Sequence, residues 1–86
     1  MVTIELYGVA RLRAGTDRVE VEAGSIAGAL RALAQRCPAL DGPVVREGRL
    51  SPSYMIAVNG LQMTADPGTP LGDGDVLVLL SADAGG

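Results

Sequence analysis

The chemistry this chain could do begins at its last two residues, Gly85-Gly86. They follow Ser81-Ala82-Asp83-Ala84, a stretch of small or polar residues with no apolar face to pack, so residues 81–86 are expected to form a mobile tail. Fully extended, six residues reach about 20 Å. Two glycines lack Cβ atoms, so such a tail can thread a narrow channel and present its carbonyl on all sides. A slender segment carrying a carboxylate is what a second enzyme needs in order to activate that carboxylate. Side-chain chemistry is scarce by comparison. There is no His and a single Cys, which excludes a zinc site, a disulfide framework and a Cys/His nucleophile built from this chain. Cys37 falls on the apolar stripe of the helix described below and reads as a small buried hydrophobe rather than a reactive thiol. Asp73 and Asp75 lack the further oxygen ligands that calcium requires, and read as turn residues. Arg11 and Arg13 leave two readings open: contact with an acidic patch on a partner, or a solvated hairpin loop.

A chain of 86 residues and 8.8 kDa has room for one small domain and no separate catalytic lobe. Hydrophobic residues make up 48% of it but aromatic ones only 2%, so Val, Leu, Ile and Met must build the core. Seven basic residues against ten acidic ones give a net charge of −3. With no basic surplus and few rings to stack bases, nucleic acid is excluded as a partner. The longest large-apolar run, Val76 to Leu80, is far too short for a membrane span. Met1-Val2-Thr3-Ile4-Glu5 does not read as a secretory signal, so a cytoplasmic location is expected.

These features need elements to position them. Val2, Ile4 and Leu6 alternate with Thr3, Glu5 and Tyr7, the period of a strand with one covered face. Arg18 to Glu22 alternates again, so Gly8 to Gly15 reads as a turn-bearing connection within an N-terminal hairpin. The period then changes. Ser25 suits a helix N-cap, and Ile26, Ala29, Leu30, Leu33, Ala34 and Cys37 follow 3.6-residue spacing up to Pro38. Gly28 inside that helix costs about 1 kcal/mol relative to Ala. Residues 38–53 read as a loop anchored by Leu40, Val44 and Leu50. Met55 to Val58 is a strand, Asn59-Gly60 a tight turn, and Leu61 to Thr64 a short return strand. Val76-Leu77-Val78-Leu79-Leu80 does not alternate, which marks a central strand beside a parallel neighbour. One helix covers one face of such a sheet, so the other face is covered by a partner protein or by a loop of the same chain.

If the first and last strands pair in parallel with the helix packed across them, the fold is α+β, a β-grasp (ubiquitin-like) roll. It has a mixed sheet of four to five strands and one main helix on one face. The domain spans residues 1–80 and the tail 81–86.

Four segments then carry a more specific likeness: Ala10-Arg11-Leu12-Arg13-Ala14-Gly15, Ala57-Val58-Asn59-Gly60, Leu71-Gly72-Asp73-Gly74-Asp75-Val76 and terminal Gly85-Gly86. In that order the chain resembles the MoaD/ThiS family of ubiquitin-like sulfur carriers, particularly its molybdopterin synthase small subunits. The resemblance implies a substrate protein rather than a catalyst, with no cofactor bound to the chain itself. An adenylating enzyme of the ubiquitin-activating type (MoeB/ThiF-like) would use ATP to turn the Gly86 carboxylate into an acyl-adenylate. A sulfur donor, either a rhodanese or a cysteine desulfurase, would displace AMP to leave a thiocarboxylate. A synthase large subunit or another sulfur-acceptor enzyme would take the sulfur, for molybdopterin or for thiamine, cysteine, a thiolated metabolite or a tRNA base. Gly85 and Gly86 are then the reacting residues. The expected docking residues are Leu77 and Leu79 of the last strand, Ser81, Ala82, Asp83 and Ala84 of the tail, and Arg11 and Arg13. Ser81 to Ala84 stand where the molybdopterin branch usually carries a Pro-Pro pair and a hydrophobic residue, which leaves the acceptor open. Two other functions remain: a ubiquitin-like modifier conjugated through Gly86, and a β-grasp interaction module with a chemically silent end.

Overall fold

The computed structural model describes residues 1–81. A five-stranded mixed sheet is built from β1 (Val2–Leu6), β2 (Arg18–Val21), β5 (Tyr54–Val58), β6 (Gln62–Met63) and β7 (Val76–Ser81). Its spatial order is β2-β1-β7-β5-β6. β7 therefore lies at the centre, parallel to β1 (Ile4 opposite Leu77, Leu6 opposite Leu79) and antiparallel to β5 (Ile56 opposite Leu79). This is the expected β-grasp arrangement, and the non-alternating last strand sits where an apolar run on both faces belongs.

The main helix, α2 (Ile26–Arg36), begins as its sequence dictates. The Gly28 amide donates to Ser25 Oγ at 3.1 Å, supplying a partner for one of the free amides of the first turn. Ile26, Ala29, Leu30 and Leu33 are buried on its inner stripe. They pack against Val2, Ile4 and Leu6 of β1, Val19 and Val21 of β2, Ile56 of β5, and Leu77 and Leu79 of β7 in one core.

Two connections differ from expectation. Gly8 to Gly15, read as a turn, contains the helix α1 (Gly8–Ala14). Its N-terminus has no side-chain cap and it lasts seven residues, so it offers little local signal. Tertiary packing holds it: Ala10 is fully buried, while Gly15, in the left-handed region at φ 75°, closes the end with its amide on the Arg11 carbonyl. Residues 38–53 hold more structure than a loop. A single 3-10 turn, Pro38–Leu40, leads to a small hairpin of β3 (Val45–Arg46) and β4 (Arg49–Leu50). Leu40 and Val44 are buried as the expected anchors, joined by Val45, and Leu50, the third, packs partly buried against the same core.

Two readings of the last strand also need correction. Leu77 and Leu79, expected on the docking face, are 1% and 0% exposed, because their side chains point into the core beneath α2. Ser81, expected in the tail, is the last residue of β7 and pairs with Tyr54.

Candidate functional site

Because side chains alternate across a strand, burying Leu77 and Leu79 turns Val76, Val78 and Leu80 to the opposite face. The register places Val78 between Glu5 of β1 and Ala57 of β5, and Leu80 opposite Met55. Met63 of β6 lies beyond Ala57. The outer face therefore presents a half-exposed apolar patch of Met55, Ala57, Val78 and Leu80, with exposed Met63 at its edge. Glu5 and Arg18 flank it on the β1–β2 side. The signal for this patch was present in the sequence as the non-alternating run, but only the register decides which of its residues face outward.

The end of β7 is the second part of the site. Ser81 closes the central strand beside the start of α1, and the Tyr7 amide donates to the Leu79 carbonyl at 3.0 Å. Tyr7 also donates its hydroxyl to the Glu5 carboxylate at 3.1 Å. That bond and the Glu5 charge hold its phenol above its ordinary value. Arg11 and Arg13 lie on α1 and are exposed; Arg11 shares a shallow cleft with Glu5, Tyr7, Asp17 and Arg18. The structure thus brings Arg11 to the surface around the β7 end, on a helix rather than a loop. Ala82, Asp83, Ala84, Gly85 and Gly86, the remaining expected site residues, lie outside the described residues.

At the other end of β7, the acidic turn is occupied with its own chain. Asp75 accepts from the Gly72 amide at 2.8 Å and from the Asn59 side-chain amide at 3.1 Å, and Asn59 Oδ1 accepts from the Val76 amide at 2.8 Å. The Gly72 amide, with help from Asn59, lowers the Asp75 carboxyl below its ordinary value. Asp73 pairs with the Met1 amino group. Cys37 is buried at the end of α2, and burial pushes its thiol upward, opposed by the charge of Arg36. Among the described residues there is no cluster of three or more metal-ligating side chains, and no helix is long and apolar enough to cross a membrane.

A five-stranded β-grasp sheet with its main helix on one face and an apolar patch on the other defines the class of ubiquitin-like proteins. The chain belongs to the ThiS family, whose model matches residues 4–86. Members of that family are small carrier proteins rather than catalysts, and this chain is one of them. Among solved structures it is similar to SAMP1 from Haloferax volcanii, at 28% identity and TM-score 0.79, covering 99% of this chain and 98% of that one. A complex of the two subunits of molybdopterin-converting factor from Helicobacter pylori contains a chain matching at 26% identity and TM-score 0.64, covering 99% and 97%. The BexX/CysO complex of Amycolatopsis orientalis matches at TM-score 0.82 over 100% of both chains, and at 23% identity this speaks for the fold. No curated protein sequence is a significant match.

Proposed function

We propose that this chain carries sulfur as a thiocarboxylate on Gly86. A MoeB/ThiF-type enzyme lets the Gly86 carboxylate attack the α-phosphorus of ATP, forming an acyl-adenylate and releasing pyrophosphate, because a free carboxylate is a poor electrophile and AMP is a good leaving group. A sulfur donor's persulfide then displaces AMP to form an acyl disulfide. A second thiol cleaves this by forming a disulfide with the donor, and the thiocarboxylate sulfur so released serves as a nucleophile in an acceptor enzyme's pocket. The catalytic side chains belong to those partners, as suits a chain with no His and a buried Cys. The observation that carries this reading is the position of Ser81: it lies in the central strand, paired with Tyr54, so the five residues after it follow on from the middle of the sheet, next to the apolar outer patch. Partner enzymes dock on that patch, centred on Val78, Leu80 and Met55, and receive residues 82–86. Molybdopterin is the leading acceptor pathway, and the cytoplasm, where such enzymes and ATP meet, the leading location.

Intact mass spectrometry of protein made beside its native sulfur machinery tests the proposal. One oxygen replaced by sulfur is the expected result, and its loss on deleting Gly86. An unchanged mass in the presence of active machinery overturns it. The similarity to a small archaeal modifier protein favours a second reading, conjugation of Gly86 to amines of other proteins. Covalent ladders in the same experiment would support that reading instead.

A further inference from the structure

Beyond the outer sheet patch, a short helix beside the end of β7 also exposes apolar side chains. On α1, Val9 is 44% exposed and Leu12 is 82% exposed. With exposed Arg13 they follow i, i+3, i+4 spacing and share one solvent-facing ridge, with Leu12 on the side of the helix away from buried Ala10. A single exposed leucine is ordinary on a protein surface. Here the position matters. The parallel register sets Leu6 opposite Leu79, so α1, beginning at Gly8, starts directly alongside the end of β7.

We infer that the Val9–Leu12–Arg13 ridge is a docking element for the adenylating enzyme, which inserts Leu12 into an apolar hollow and sets a carboxylate against Arg13. The inference rests on the carrier reading above. Its argument is one of reach. The five residues beyond Ser81 extend at most about 17 Å. A partner whose active site holds their last residue must therefore bring its own body against the surfaces that surround Ser81. One of these is the outer sheet patch, and another is α1. Charge supports the same contact: the ridge carries Arg13 and α1 holds no acidic residue, although the whole chain is at −3. The surface met by α1 is accordingly acidic around its apolar centre, and opposite charges there speed encounter as well as orient it.

ATP–pyrophosphate exchange by a purified MoeB/ThiF-type enzyme, titrated with this protein, tests the ridge. Leu12→Glu is expected to raise the KM for the carrier by about tenfold or more while leaving kcat and the melting temperature unchanged, the behaviour of an interface anchor that the fold does not need. Arg13→Glu should act in the same direction and Arg13→Lys should stay near wild type. A chain lacking residues 84–86 should support no exchange yet inhibit competitively, and Leu12→Glu should remove that inhibition. If wild-type protein supports exchange but both Glu variants keep KM within about twofold, the ridge lies outside the interface and the carrier reading stands. If wild-type protein supports no exchange at all, the carrier reading fails, and the ridge proposal falls with it.

Discussion

Asp75 ties together two segments far apart in sequence, because its carboxylate takes the Gly72 amide and the Asn59 side chain while Asn59 holds the first amide of β7. The Asn-Gly pair was legible as a turn, since Asn59 and Gly60 adopt left-handed angles of 53° and 69° that this pair tolerates best. Its reach to Asp75 was not, because that contact exists only once β5 and β7 are paired. The carboxyl's folded value lies below its ordinary 3.8, so its stabilisation is complete above that pH and is lost as pH falls through the folded value. Asp75→Asn should therefore melt below wild type near about pH 7, and the difference should shrink toward about pH 2, as followed by thermal melts. Cys37 makes a second expectation at this scale. It is 7% exposed and its thiol is raised by burial, so a thiol reagent should label it slowly in native protein and rapidly in denaturant.

Among the elements, legibility followed the strength of the local pattern. The stripe of α2, its Ser25 cap and the alternation of β1 all repeat over enough residues to identify themselves. The helix α1 and the β3–β4 hairpin do not: one is short and uncapped by any side chain, and the other turns on Glu47-Gly48, where Glu47 takes a φ of 52° without the usual Asn or Asp. β7 was recognised as central, yet its faces could not be told apart from the sequence, since every residue from Val76 to Leu80 is apolar. The two faces should behave differently under mutation. Leu79→Ala empties a fully buried site and should cost about 2–5 kcal/mol in chemical denaturation. Leu80→Ser, on the half-exposed outer face, should stay within about 1 kcal/mol while weakening partner docking. In α2, a Cβ at Gly28 would meet Ser25 Oγ at 3.5 Å and Ala23 Cβ at 3.6 Å, ordinary contacts. Gly28→Ala should thus stabilise by about 0.5–1 kcal/mol, read as a higher denaturation midpoint.

At the scale of the whole molecule, the body and the last five residues divide the work: one presents surfaces, and the other is proposed to present the carboxylate. Removing Gly85-Gly86 should leave the melting temperature unchanged, because the described core is built from side chains between Val2 and Leu79, and should abolish thiocarboxylate formation in intact mass spectra. A large loss of stability in that variant would mean that the two parts are not separable. The sequence by itself determined the strands at both ends of the chain, the helix α2, the core composition, the family and the Gly-Gly end, because periodicity, caps and motifs are local properties written along the chain. Tertiary structure alone decided that Leu77 and Leu79 are buried, that Val78 and Leu80 face outward, and that α1 stands beside the end of β7. The reason is physical: a strand's two faces become different only when a helix covers one of them, and a short helix forms only where a core is ready to receive Ala10.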